Sequence, residues 1–94
     1  MSLVPTYDPA VDALYLCARP GVSVDKTVEL DPRVIVDRDA YGVPIGVELL
    51  GAARQGIPTG LLARALGGDL ADEQEIADAA LRAIRGRPSA AEPD

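Results

Sequence analysis

The chain has 94 residues and a formal charge of −6, with hydrophobic residues at 48% but aromatics at only 3%, and it contains no histidine. That length supports one modest core, which must be built from Val, Leu, Ile and Ala around three tyrosines. The acidic balance weighs against nucleic acid, whose binding rests on Lys and Arg neutralising phosphates, and the single cysteine, Cys17, excludes an internal disulfide framework.

The opening residues, Met-Ser-Leu-Val-Pro-Thr-Tyr-Asp, carry neither a basic group nor the apolar run of a secretory leader. No later stretch reaches the roughly 18 apolar residues that span a bilayer, so a cytoplasmic setting without membrane or nucleic-acid contact is expected. Val4 to Tyr7 reads as a first short strand, ended by Asp8-Pro9, a pair suited to a turn because the carboxylate bonds amides ahead while proline pre-sets its own φ. Leu14-Tyr15-Leu16-Cys17 follows as a strand, Leu14 and Leu16 on one side and Tyr15 and Cys17 on the other. Cys17 is expected as a small buried apolar side chain.

From Val22 the even positions Val22, Val24, Val28 and Leu30 share a side, and Asp25, Thr27 and Glu29 the other, as an antiparallel strand with one wet face requires. Asp31-Pro32 reverses the chain into the β-branched run Val34-Ile35-Val36. Asp39-Ala40-Tyr41-Gly42 then turns it again, Gly42 supplying the positive φ of a bulged hairpin. Val43, Ile45, Val47 and Leu49 point one way, and Pro44 on the opposite side marks an edge strand or a strand beginning.

After Leu50 the spacing becomes helical. Residues 51–56 supply a helical turn, and Pro58-Thr59 starts a short helix through Leu61, Leu62, Ala65 and Leu66 that Gly67-Gly68 stops. Asp72 and Glu75 have the spacing of a capping box for a second helix, whose apolar stripe is Ile76, Ala77, Ala80, Leu81 and Ile84. Arg82 and Arg85 in its last turn complement the helix dipole before Gly86. The expected architecture is α+β: a four- to five-stranded antiparallel β-meander over residues 1–50 packed by C-terminal helices over 51–86, one small domain with a loose tail at 87–94. The thin aliphatic core favours self-association as a dimer.

The run Tyr7-Asp8-Pro9-Ala10-Val11-Asp12-Ala13-Leu14-Tyr15-Leu16, followed by Thr27-Val28-Glu29-Leu30, Val34-Ile35-Val36-Asp37 and Gly46-Val47-Glu48-Leu49-Leu50, resembles domain of unknown function 2283, a family of small bacterial and archaeal proteins. The resemblance covers about residues 3–53 and leaves the helical remainder outside. It implies a compact β-meander packed with helix, often paired with a second copy, and it brings no catalytic residues. Some members look like the smaller partner of ribonuclease-type toxins, so the resemblance also implies antitoxin action.

Asp37, Asp39, Gly42 and Glu48 stand at positions 1, 3, 6 and 12 of a calcium-loop pattern. Tyr41 replaces a ligand there and the flanks read as strands, so Asp37 and Asp39 are expected to organise a hairpin turn while Glu48 faces solvent. Glu29 with Glu48, or Asp31 with Asp37, form carboxylate pairs of the kind used in acid/base catalysis, yet three tyrosines cannot line a sugar cleft. Tyr7 and Tyr15 are expected in the core, with a hydroxyl reaching Asp8 or Asp12. No cofactor-binding loop is legible, and no residue is assigned a catalytic role. The expected function is protein binding, to a basic partner, through Glu29, Asp37 and Glu48 on a strand face and Ile76, Leu81 and Ile84 on the last helix. A structural homodimer, or a small-molecule binder or enzyme using acidic residues, are the alternatives.

Overall fold

The computed structural model describes residues 3–67 and 71–86. The expected tail and Gly68 of the helix stop lie outside these residues. Five strands, β1 (Val4–Asp8), β2 (Ala13–Cys17), β3 (Lys26–Asp31), β4 (Val34–Arg38) and β5 (Pro44–Leu50), precede three helices, α1 (Ala52–Gln55), α2 (Thr59–Ala65) and α3 (Glu73–Arg85). The protein is therefore α+β, with a single antiparallel sheet followed by helices.

Strand order in space is β1-β2-β5-β4-β3. The β1–β2 hairpin and the β3–β4–β5 meander are joined where β5 returns beside β2, so the last strand in sequence is the centre of the sheet. Pro44 is tolerated in this central strand because it is the first residue. The same order explains why Val22 and Val24 are not in a strand: β2 and β3 lie three spacings apart, about 14 Å, and the connection must cross that distance before pairing begins at Lys26. Val24 is consequently exposed. Leu30 is exposed as well, at a register shift between Glu29 and Asp31.

Register partners share a sheet face, and alternate residues change face. Leu14 opposes Leu49, Leu16 opposes Val47, and Val34 and Val36 oppose Leu49 and Val47 from the other side. All six are essentially inaccessible to solvent. This face is roofed by the helices, with α3 across β1 and β2, and α2 against β5 and α3. One continuous core joins these strand residues to Leu62, Leu66, Ile76, Ala79 and Ala80.

Helix α3 begins as its sequence dictates. The Asp72 carboxylate accepts from the Glu75 amide at 2.9 Å, and the Glu75 carboxylate accepts from the Asp72 amide at 3.3 Å. Its buried stripe is Ile76, Ala79 and Ala80, which shifts the expected one. Leu81 lies about 140° around the helix from Ile76 at 100° per residue, and it is exposed.

Candidate protein-interaction face

The opposite face of the sheet has no helix over it in the described residues. One row across it reads Thr6, Tyr15, Glu48, Ile35 and Glu29, and the next reads Val4, Cys17, Gly46, Asp37 and Thr27. Glu29, Asp37 and Glu48 thus come from three strands to a common surface. Asp8 is on the same side by alternation from Thr6, and the strand residues of this face include no Lys or Arg.

A chain of side-chain hydrogen bonds orders its middle. Tyr15 lies over Gly46 and donates its hydroxyl to Asp37 Oδ2 at 2.9 Å, while Thr27 Oγ1 donates to Asp37 Oδ1 at 2.8 Å. The interaction spans β2, β5, β4 and β3. It depends on glycine at position 46, since a Cβ there would come within 2.6 Å of Tyr15 Cζ and 2.9 Å of the Leu16 carbonyl oxygen. Burial, then the neighbouring Asp37 carboxylate, pushes the Tyr15 phenol well above its ordinary range, so it remains a donor. The Glu29 and Glu48 carboxylates take part in no hydrogen bond or ion pair within the described residues.

Several expectations are corrected by this placement. Glu29 and Glu48 share a row but are separated by Ile35 on β4, two strand spacings or about 10 Å, so they do not share a proton. Asp31 is at the β3–β4 turn, where it accepts from the Arg33 amide at 3.0 Å, at the far end of β4 from Asp37. Asp37 belongs to the sheet rather than to the hairpin turn. That turn is organised by Asp39, whose carboxylate accepts from the Tyr41 and Val43 amides, each at 2.9 Å, and pairs with Arg19 at 2.8 Å. The Val43 amide and Arg19 hold its carboxyl below the usual range, and Gly42 has φ 82°. No group of three or more His, Cys, Asp or Glu side chains among the described residues is placed to hold a metal. Cys17 is half-buried on the open face rather than within the core.

The helical part of the expected surface does not join the acidic one. Ile76 is fully buried in the protein's own core, Ile84 packs partly against that core, and only Leu81 is exposed, on the helix-covered side of the sheet. A clamp made from the acidic strands and α3 together is therefore not formed by this fold. No helix among the described residues is long and apolar enough to cross a membrane.

At the end of the sheet, three chain reversals meet around Asp12, which has φ 53°. Its carbonyl accepts from the Gly51 and Ala52 amides, and its carboxylate accepts from the Ala53 and Arg54 amides at 2.7 and 3.1 Å and from the Tyr7 hydroxyl at 2.7 Å. The Ala53 amide, then Tyr7, lowers its pKa. Arg33 ties the β3–β4 turn to the same region through the carbonyls of Leu50, Gly51 and Gly56, at 2.8, 3.0 and 2.7 Å. The Tyr7 to Asp12 spacing was the sequence signal for this junction. Nothing in the spacing of Arg33 and Arg54 marked them as lining one cleft, because Arg33 is brought there by the β4–β5 pairing and Arg54 by the anchoring of α1 on Asp12.

Among curated proteins and solved structures, no match is found. The family described as Protein of unknown function (DUF2283) matches residues 6–52, half of the chain, from just before Tyr7 to the first residue of α1, and includes Asp12, Tyr15, Thr27, Asp37, Gly46 and Glu48. The residues that order the open face and anchor the helical segment are therefore those of the matched region, and the chain belongs to this family of uncharacterised function.

Proposed function

We propose that the chain is a non-enzymatic protein-binding module whose open sheet face docks a basic partner, in the manner of an antitoxin masking a ribonuclease-type toxin. The observation that carries this reading is the collection of Asp8, Glu29, Asp37 and Glu48 on one face that bears no cationic strand residue. A ribonuclease grips phosphates with basic side chains, and a fixed acidic surface offers such a site a complementary charge. Glu29 and Glu48 are available for cross-partner ion pairs, while the Tyr15–Asp37–Thr27 chain keeps the surface rigid. Val4 and Ile35 supply apolar contact within it. Both proteins would meet in the cytoplasm.

The same charge pattern argues against a symmetric dimer through this face, since a two-fold axis would set like charges against each other. A second copy has room instead along the edge of β3, which no strand among the described residues covers and where Leu30 and Val24 are exposed, and such pairing leaves both acidic faces open. Light scattering of the purified chain distinguishes dimer from monomer. The binding reading is tested by purifying tagged chain from its native host and repeating the purification with Glu29→Lys/Glu48→Lys. A stoichiometric basic partner that is lost from the folded double variant supports it. A chain that always purifies alone contradicts it.

A further inference from the structure

A cleft of about 700 Å³ lies at the end of the sheet, where the β1–β2 turn, the β3–β4 turn and the start of α1 converge. We propose that it binds a small organic oxyanion, a carboxylate or phosphate carried on a compact apolar body. Its volume is in the range of about 300–1,000 Å³ common to small-molecule sites.

Charge is the first argument. Arg33 and Arg54 both line the cleft, against Asp12 as its one acidic side chain, so the lining is cationic in a chain whose formal charge is −6. The Asp12 carboxylate is already met by three donors, the Tyr7 hydroxyl and the Ala53 and Arg54 amides, and it feels the Arg54 charge without a hydrogen bond to that side chain, so both guanidiniums keep N–H groups for an incoming oxyanion. Rigidity is the second. Arg33 is fixed by three carbonyls through Nε and Nη2, which leaves Nη1 without a hydrogen bond to any described residue. A guanidinium immobilised before binding loses little entropy when an oxyanion arrives, and its planar fork matches carboxylate and phosphate alike. Arg54 is exposed, and its side chain donates to no described residue. The third argument is the wall: Val11, 67% exposed, stands with Pro9 and Pro32 beside these cations and gives an apolar body a surface to cover.

The site is tested on the full chain by calorimetry and amide chemical-shift mapping with phenyl phosphate, benzoate and inorganic phosphate. Phenyl phosphate or benzoate should saturate one site, move the amides of Val11, Arg54 and Gln55, and bind about tenfold more tightly than inorganic phosphate. Which of the two organic probes binds better identifies the oxyanion. Arg54→Gln should weaken binding about tenfold without lowering the melting temperature, and Val11→Asp should do the same from the apolar side. Absence of saturation by all three probes at about 10 mM, shifts mapping elsewhere, or unchanged affinity in Arg54→Gln would overturn the proposal.

Discussion

The two faces of one sheet are made from the same strands and differ in almost every physical respect. On the helix side, Leu14, Leu16, Val34, Val36, Val47 and Leu49 interdigitate with α2 and α3 and are closed to water. On the other, every second residue of the same strands except Gly46 is half-buried or exposed, and the spaces between carboxylates are filled by a tyrosine lying over that glycine. The difference teaches where each kind of change will be felt. Apolar volume on the covered face sets stability, whereas the open face is held in shape by hydrogen bonds and carries the charges of Glu29 and Glu48, whose carboxylates meet no partner among the described residues.

The comparison is broken most severely from the covered side. Leu49→Ala should cost roughly 2–5 kcal/mol in urea unfolding, a large part of the stability of a domain this small. On the open face, Gly46→Ala is the largest expected effect, about 1–3 kcal/mol, because the added methyl displaces the Tyr15 ring and meets the Leu16 carbonyl. Tyr15→Phe keeps the ring over Gly46 and deletes only the bond to Asp37, for about 1 kcal/mol. A smaller effect is confined to acid. The folded-state pKa of Asp12 is depressed, so its contribution is present above its unfolded value of about 3.9 and is lost as pH falls through the folded value. Asp12→Asn should therefore reduce the difference in melting temperature between neutral and acidic buffer. Smallest of all, Glu29→Lys/Glu48→Lys should alter stability by no more than about 0.5 kcal/mol, since neither carboxylate has a partner within the described residues.

Much of the covered face is legible in the sequence, because period-two patterning states which side chains share a side, and Asp72 with Glu75 states where α3 begins. The neighbour of β2 could not be read in this way. Pairing with β5 is a long-range choice that no local turn encodes, and the crossing of residues 18–25, the anchoring of α1 on Asp12 and the meeting of Glu48 with Tyr15 all follow from it. Helix phase was the other difficulty. Ile76 and Leu81 both suit an apolar stripe on paper, yet the sheet buries a narrower arc centred on Ile76 and Ala80, and Leu81 falls outside it. Glu29 and Glu48 lie on strands as their parity indicates, whereas Asp37, expected in the hairpin turn, is a hydrogen-bonded support on β4 between Tyr15 and Thr27.

The most direct test of the acidic face as a binding surface is the affinity for the partner recovered from the native host, measured for wild type and for Glu29→Lys/Glu48→Lys across a salt series. Docking through this face requires that the double variant, folded and equally stable, bind at least about 100-fold more weakly, and that wild-type affinity fall steeply as salt rises. Equal affinity of the two proteins at every salt concentration would contradict it.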